Sequence, residues 1–394
     1  MPRARAGRVP IRACRHLPPA DILNGCHWGG EEADVDIDIR PLDIPERLGT
    51  PEAADFEAFV ELTADVQESV WGHRRFAQEA AELLPEFRDD RYTGRQAFAA
   101  WKDERCIGRA EVLWERGEEA RTAEISVGVA VDERGRGLGA ELLARAEAHA
   151  RSLGRDIVAG YSDVALANLD APGPRLEAPD GTGSIPAGAV GASFALRHGY
   201  RLAQLERVSG LSVTGRLEEF RTLLSARLAA RRADSAAYRL TGWVDRAPEE
   251  LLDTLAVAHA SMATDPPFGA VIVDEEVWDA ARVRAGEARA LEAGRTTLVQ
   301  AAIAPDGSVA AYTELSLPSN STAAFQWDTI VLGPHRGHGL GMLLKLANLV
   351  HLGETTPDRT DIYTWNADEN DHMLAINIAL GFTLRGMSAE WQRD

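Results

Sequence analysis

Hydrophobic positions along the chain follow two spacings, one typical of strands and one typical of helices. Val35, Ile37 and Ile39 alternate with acidic residues, which predicts a strand over 35–40. Apolar positions three and four residues apart predict a helix over 53–68. The same spacings predict further strands over 97–101, 110–114, 123–131, 156–161, 238–244, 297–303, 309–317, 329–332 and 361–365, and further helices over 76–84, 140–151, 193–198, 216–232, 251–262, 275–290, 343–350 and 370–380. The chain is therefore predicted to be α/β.

One unit, a strand followed by a glycine-rich loop and a helix, occurs twice. Both loops read Arg-Gly-x-Gly-Leu-Gly, once after strand 123–131 and once after strand 329–332. A glycine loop at a helix N-terminus presents bare backbone N–H groups, which is the arrangement that binds phosphate. The predicted phosphate-binding residues are Arg134, Gly135, Arg136, Gly137 and Gly139 in the first copy, and Arg336, Gly337, His338, Gly339, Leu340 and Gly341 in the second.

The spacing of these loops decides which phosphate ligand is expected. Neither loop is GxGxxG or contains GK[ST], which disfavours a dinucleotide fold and excludes a triphosphate P-loop. Arg-x-x-Gly-x-Gly between a strand and a helix resembles the acyl-CoA pyrophosphate loop of the GNAT superfamily of N-acetyltransferases. The resemblance implies two tandem GNAT-like domains, each a mostly antiparallel twisted sheet with a splayed parallel strand pair and flanking helices. The alternative is a pair of ordinary glycine-rich turns.

The length of 394 residues fits two domains. We expect domains over 35–210 and 237–394, joined by a linker helix within 211–236. Sixty residues separate Gly139 from Gly199 but forty separate Gly341 from Gly381, so the first copy carries an insertion at about 170–189, either a substrate lid or a surface insertion. Residues 1–34 are rich in arginine and are expected to be a disordered extension, the alternative being a basic arm for an acidic partner.

Composition narrows the class of partner. The net charge of −19 argues against nucleic-acid binding and is compatible with an amine substrate. Three cysteines without metal spacing imply neither zinc nor a disulfide framework, and no metal site is expected. No apolar run reaches membrane-spanning length, so a cytoplasmic protein without membrane partner is predicted. Whether it is a monomer or a homodimer stays open.

Candidate bases lie on the strand before each loop. Ten residues before the loop arginines are Glu124 and Gln326, and eight residues before them are Ser126 and Asp328. Because strand side chains alternate, each copy places one carboxylate on the same face. The resemblance puts a catalytic glutamate at the position of Glu124. Glu314, on the preceding strand of the second copy, is a third candidate, and a structural hydrogen bond at the strand is the alternative role for each acid.

The resemblance also places groups in the last helix of each copy. GNAT enzymes often carry a tyrosine general acid four residues before a Gly-aromatic pair, but the chain has Ala195 and Asn377 there. The asparagine-rich segment of the second copy resembles the one that contacts the pantetheine arm, and Asn366, Asn370 and Asn377 are its predicted contacts. The C-terminal copy is therefore the expected catalytic one. By analogy alone, Asp265 borders the acceptor site.

The sequence thus predicts an N-acetyltransferase that transfers acetyl from acetyl-CoA to a primary amine of a small molecule by direct attack. The two-copy arrangement resembles actinobacterial tandem acetyltransferases of the mycothiol-synthase type. The absence of the tyrosines leaves an alternative open, a catalytically weak acyl-CoA-binding regulatory or structural protein. A protein N-acetyltransferase is a further alternative.

Overall fold

The structure is a computed structural model that describes residues 37–117, 119–231, 237–262, 270–272, 274 and 276–394. Residues 37–394 form one compact unit. The expected N-terminal extension and the loop that contains Asp265 lie outside the described residues. We use N-terminal half for residues 37–212 and C-terminal half for residues 217–394.

The N-terminal half contains eight strands and five α-helices within the described residues. Its elements are β1 (Ile37–Pro41), α1 (Ala54–Trp71), α2 (Ala80–Arg88), β2 (Thr93–Lys102), β3 (Arg105–Glu115), β4 (Thr122–Val129), α3 (Leu138–Ser152), β5 (Ile157–Ala165), α4 (Leu166–Leu169), β6 (Arg175–Glu177), β7 (Ser184–Pro186), α5 (Val190–Arg197) and β8 (Arg201–Ser212). The helix predicted over 76–84 begins later, at Ala80.

From its first strand onward, the C-terminal half repeats this order without α4 and the small hairpin. Its elements are α6 (Leu217–Ala229), β9 (Arg239–Val244), α7 (Leu252–Met262), α8 (Ala280–Glu292), β10 (Arg295–Ile303), β11 (Val309–Pro318), β12 (Ala323–Val331), α9 (Leu340–Thr355), β13 (Asp361–Ala367), α10 (Asp371–Leu380) and β14 (Thr383–Arg393). The linker helix predicted over 216–232 is α6, which packs against α9.

A single twelve-stranded sheet runs through both halves, in the order β1-β2-β3-β4-β5-β14-β8-β13-β12-β11-β10-β9. The last strand of the chain, β14, pairs with β5 and β8 of the N-terminal half. The last strand of the N-terminal half, β8, pairs in turn with β13 of the C-terminal half. Each half therefore places its last strand inside the sheet between the other half's strands.

These two central strands, β8 and β14, are absent from the elements that the apolar spacing predicts. Both lie at the middle of the sheet, yet they carry buried polar residues such as Gln204, Glu390 and Gln392. Because the polar residues interrupt the apolar alternation, the hydrophobic pattern does not reveal the strands. The exchange between halves is a long-range pairing that local spacing does not encode.

Each half contains one parallel strand pair that separates along its length. In the N-terminal half β4 and β5 pair from Thr122 to Glu124 only. In the C-terminal half β12 and β13 pair from Ala323 to Phe325 only, although both strands continue. The C-terminal half adds a β-bulge in β12, where the register with β11 shifts between Thr313 and Leu315. The splayed pairs predicted for both copies are confirmed.

The insertion near 170–189 forms the small hairpin of β6 and β7. Ile185 on β7 is fully buried in the core of the N-terminal half, and Leu176 on β6 packs against the same core. An insertion anchored by buried apolar side chains is part of the packed fold rather than a freely moving cover.

We expect that the two halves cannot fold separately. In residues 37–212 alone, the edges of β5 and β8 that pair with β14 would be exposed. In residues 237–394 alone, β13 would lack its neighbour β8. Unpaired central strands aggregate. Expression of either half alone should give insoluble protein, and co-expression of 37–231 with 237–394 should restore a soluble pair, measured by size-exclusion chromatography. A soluble, cooperatively melting single half would contradict the exchange.

Candidate active site

The two glycine loops have the same backbone conformation. Gly135 and Gly137 adopt φ of 81° and 90°, and Gly337 and Gly339 adopt 84° and 69°. Side chains other than glycine rarely adopt these angles. A Cβ at any of the four would meet nothing within 4 Å, so the backbone is open to a ligand. The first backbone N–H groups of α3 and α9, which have no partner within the helix, face this space.

The third glycine of each loop packs against a neighbouring helix. A Cβ on Gly341 would lie 3.3 Å from Ile376 Cδ1, and one on Gly139 would lie 3.2 Å from Phe194 Cε2. These glycines lie inside the first helical turn and let α9 and α3 pack closely against α10 and α5. They support close packing of these helices, and their contact with pyrophosphate stays a prediction.

The arginine of each glycine loop binds the loop to the end of the preceding strand. Arg336 Nε donates to Val331 O at 3.1 Å, and Arg134 Nε donates to Val129 O at 3.0 Å. Each bond ties the end of the strand to the loop. Arg136 forms an ion pair with Glu133, and the ring of His338 lies 5.4 Å from that of Tyr238. Leu340 is buried. The residues predicted to bind phosphate therefore lie together at each glycine loop.

The predicted asparagines surround the splay between β12 and β13. Asn377 on α10 is 2% exposed and its Nδ2 donates to Asn366 Oδ1 on β13 at 2.7 Å. Asn370 caps α10, because its Oδ1 accepts from Met373 N at 3.1 Å. Only Asn366 of the three combines a position on the splayed strand with partial exposure.

A cavity of about 490 Å³ lies between the two halves. Side chains of both halves line it, including Glu86, Arg95, Trp278, Trp327, Glu314 and Asp328. Glu86, Arg95 and Arg295 form an ion-paired wall, with Arg295 Nη1 2.9 Å from Glu86. The volume is that of a site for a small molecule.

Asp328 belongs to a hydrogen-bonded group at this cavity. Tyr312 Oη donates to Asp328 Oδ2 at 2.5 Å and lies 2.9 Å from His259 Nδ1. Since the single hydroxyl hydrogen goes to the carboxylate, His259 Nδ1 must donate to the hydroxyl oxygen. Burial, and then the neighbouring Asp328, raise the pKa of Tyr312. The ring of His259 stacks on Trp278 with centroids 4.5 Å apart.

Glu314 lines the same cavity, and its carboxyl forms no hydrogen bond or ion pair with the described residues. Burial, and next the charge of Asp328, raise the pKa of Glu314 to about 7, against the opposing effect of His259. A carboxyl with a pKa near neutrality and no protein partner can take up a proton from a ligand.

The N-terminal copy carries its own carboxyl cluster at the β4–β5 splay. Burial raises the pKa of Glu206 and of Glu390 each to about 7, and the charge of Glu124 contributes to the rise at Glu390. Glu124 is solvent-accessible and Glu390 is 7% exposed. Glu390 lies opposite Tyr161 across β14 and β5. Glu124 lies opposite Leu113 of β3, which lines the cavity that contains Glu314, but Glu124 itself is not among the lining residues.

Glu390→Gln should stabilise the protein at high pH. The pKa of Glu390 is raised from 4.5 to about 7, so the stability associated with its neutral form is full below pH 4.5 and is lost as the pH rises through about 7. The uncharged amide avoids that loss. We expect a melting temperature roughly 2 °C above wild type at pH 8 and no difference near pH 4, measured by calorimetry. An equal gain at both pH values would contradict burial of the charged form as the cause.

Aromatic side chains cover the splay of the C-terminal half. Trp327 and Trp365 stack with centroids 6.1 Å apart, and Phe325 stacks on both. Phe76, which follows α1, contacts Trp365 edge-on at 5.5 Å. Arg75 Nη1 donates to Tyr363 Oη at 2.9 Å. A loop of the N-terminal half therefore packs on the splay of the C-terminal half.

Sequence reasoning missed His259 and Tyr312. Tyr312 lies on β11 two residues before Glu314, so alternation placed it on the same face, but a tyrosine in an apolar run resembles a core residue. His259 lies on α7, and no local pattern links it to β11 or β12.

No group of three or more His, Cys, Asp or Glu suited to a metal occurs in the described part of the chain. Within that part, no helix is both long and apolar enough to cross a membrane. Cys106 is a free, buried thiol.

Comparisons with known proteins agree with this geometry. Residues 56–172 match the family model of the acetyltransferase (GNAT) family. No match was found among curated proteins. The fold is similar to a tandem GNAT protein from the clavulanic acid biosynthesis pathway, solved without AcCoA, with 23% identity, 91% of this chain and 98% of that chain covered, and a TM-score of 0.67.

Two further solved structures share the fold. A GCN5-related N-acetyltransferase from Sphaerobacter thermophilus is 16% identical, with 91% of this chain and 95% of that chain covered and a TM-score of 0.55. A GCN5-related glucosamine N-acetyltransferase region of a fungal multi-domain GH3 β-N-acetylglucosaminidase is 13% identical, with 92% of this chain but 38% of that chain covered and a TM-score of 0.59.

The fold, with its twelve-stranded sheet and duplicated loops, is similar to that of a tandem GNAT protein. The acetyltransferase (GNAT) family model matches one segment of the N-terminal half, residues 56–172. The predicted fold class is thereby confirmed, and the predicted family resemblance is supported over residues 56–172. At these identities the structural neighbours establish the fold alone.

Proposed function

We propose that the chain is an acetyl-CoA-dependent N-acetyltransferase that acetylates a primary amine of a small molecule at the C-terminal copy. The observation that carries this proposal is the unpartnered Glu314 carboxyl in a cavity of about 490 Å³ beside Asp328. The cavity adjoins the β12–β13 splay, and the loop with open glycines lies at the far end of β12.

The reaction follows from these positions. Acetyl-CoA supplies the thioester, its pyrophosphate lies on the loop of Gly337 and Gly339, and its arm lies in the splay. The neutral amine attacks the thioester carbonyl, the C–N bond forms, and the C–S bond breaks with CoA leaving as the thiolate. Glu314 accepts the amine proton, and its raised pKa matches that task. Asp328, held by Tyr312, orients the amine.

The choice of copy rests on differences between the two halves. The family match covers the N-terminal copy, which keeps the loop geometry. The Tyr312–Asp328–His259 group and the asparagine pair of α10 and β13 occur in the C-terminal copy. The N-terminal loop is therefore proposed to retain the phosphate-binding geometry, with catalysis in the C-terminal copy.

Acetyl transfer to a panel of small amines tests the proposal. Release of free CoA thiol is measured with monoamines, diamines, amino acids and aminosugars, and the product is identified by mass spectrometry. We expect an amine-dependent thiol release that saturates with acetyl-CoA. Tight binding of acetyl-CoA without turnover on any amine would favour a regulatory acyl-CoA-binding protein, and transfer to lysine peptides alone would favour a protein acetyltransferase.

A further inference from the structure

Lys345 of α9 is a buried lysine with an unusual set of partners. It is 2% exposed, and its Nζ donates one hydrogen bond, to Asn377 Oδ1 at 2.9 Å. The ring of Phe382 lies 5.8 Å from Nζ, and no carboxylate among the described residues forms an ion pair with it. Burial lowers the pKa of Lys345 to about 7. A buried amine with one hydrogen bond costs stability.

Lys345 begins a chain of hydrogen bonds with a fixed direction. An ammonium group only donates, so Asn377 must present its Oδ1 to Lys345. Asn377 Nδ2 is then turned to donate to Asn366 Oδ1, at 2.7 Å. Because that oxygen of Asn366 is occupied, its Nδ2 is left as a donor. The lysine thus sets the orientation of both side-chain amides, each of which could otherwise exchange the positions of its oxygen and nitrogen.

The other half of the molecule provides an internal comparison. The matching loops place Leu143 of α3 at the position of Lys345. The matching helix ends, where Tyr200 N donates to Ala195 O and Phe382 N donates to Asn377 O, place Ala195 at the position of Asn377. An apolar pair therefore makes this helix contact in the N-terminal half, so the fold itself does not require a lysine and an amide there.

The chain of amides ends where the parallel strands have separated. Asn366 lies on β13 three residues beyond Tyr363, the last residue paired with β12. Thr364 Oγ1 donates to Gln326 O at 3.2 Å, at the start of the gap. Beyond it, the gap between β12 and β13 leaves backbone groups of both strands available to an extended ligand that carries amides.

We propose that Lys345 is a positioning residue that, through Asn377, makes Asn366 present an N–H donor to an amide carbonyl of the acyl-CoA arm in the splay of the C-terminal half. This inference rests on the proposed function of that site. Lys345 does not touch the reacting atoms. It fixes the direction of the hydrogen bonds that run from Lys345 through Asn377 to Asn366, which we call the relay. The buried amine is retained for binding at the expense of stability.

The test installs the apolar pair of the N-terminal half. Lys345→Met, Asn377→Ala and the double variant Lys345→Leu with Asn377→Ala are compared with wild type in acetyl transfer and in calorimetry. Each is expected to raise KM for acetyl-CoA about 10-fold, the loss of roughly one hydrogen bond, with kcat within about twofold. The KM of the double variant should rise no more than that of either single variant, because the three residues form one chain of hydrogen bonds.

Melting temperatures separate positioning from a structural role. The double variant is expected to melt no lower than wild type, because a buried amine is removed. Leu143→Met, the matched change in the N-terminal half, should leave KM unchanged. An unaltered KM in the double variant would overturn the inference, and so would a rise in KM accompanied by a lower melting temperature.

The same experiment distinguishes this inference from the function on which it rests. If wild type turns over acetyl-CoA and Gly339→Asp abolishes binding, while the relay variants behave like wild type, the relay alone is wrong. If wild type neither binds nor turns over acetyl-CoA, the proposed function fails and the inference fails with it.

Discussion

Replacing Glu314 by glutamine is expected to lower kcat by about 100- to 1000-fold, the range for loss of a positioned general base. The wild-type rate should rise with pH through about 7, because the carboxylate that accepts the proton forms as the pH passes the raised pKa of Glu314. The variant should lose that rise. Steady-state rates of thiol release from about pH 5.5 to 9, on either side of that pKa, measure both effects at saturating acetyl-CoA.

Two controls test whether the effect of Glu314→Gln is specific to catalysis. The variant should melt no lower than wild type at pH 8, because burial disfavours the charged form that it removes. Glu292→Gln removes a carboxylate whose side chain is 62% exposed, and it should leave the rate unchanged. A wild-type pH profile retained in Glu314→Gln would contradict the assignment of the base and transfer it to Asp328, which Asp328→Asn then tests.

Replacing Gly339 by aspartate is expected to weaken acetyl-CoA binding by at least about 100-fold. Gly339 has φ of 69° and a Cβ there meets nothing within 4 Å, so the chain accommodates the side chain. Aspartate tolerates this backbone region better than most residues. Its carboxylate would occupy the open space before the N-terminus of α9 and repel pyrophosphate. The measurement is the rise in melting temperature on adding acetyl-CoA, which the variant should lose.

Matched variants separate charge from shape at this loop. Gly339→Asn adds an uncharged side chain of the same shape and should weaken binding less than Gly339→Asp. Gly215→Asp places aspartate at another open glycine, with φ of 74°, away from both loops, and should keep the full thermal shift. Equal losses in Gly339→Asp and Gly339→Asn would show that obstruction, not charge, is responsible.

The sequence predicted those parts of the fold that depend on local spacing. The duplicated Arg-Gly-x-Gly-Leu-Gly loops and most helices follow from apolar periodicity and from glycine at positions with positive φ, whereas the splayed strand pairs were implied by the resemblance to GNAT enzymes. The exchange of β8 and β14 does not, because it depends on pairings between residues far apart in the chain. Buried Glu390 and Gln392 also make β14 resemble an exposed segment.

The candidate site was predictable to a similar extent. Glu314 and Asp328 were found because both lie on strands next to the loop, where alternation gives the face. His259 comes from α7, and Glu86 comes from the other half of the chain, so no spacing rule connects them to Glu314. Asp265 lies outside the described residues and stays a prediction.

The measurement that tests the central claim most directly is a calorimetric titration of the intact chain with acetyl-CoA, repeated with Gly339→Asp. We expect that wild type binds acetyl-CoA and that the variant loses one equivalent, the one at the C-terminal loop. A second equivalent that persists in the variant would belong to the N-terminal loop. Identical affinity and stoichiometry in the two proteins, or no binding by wild type, would contradict the proposed acetyl-CoA site.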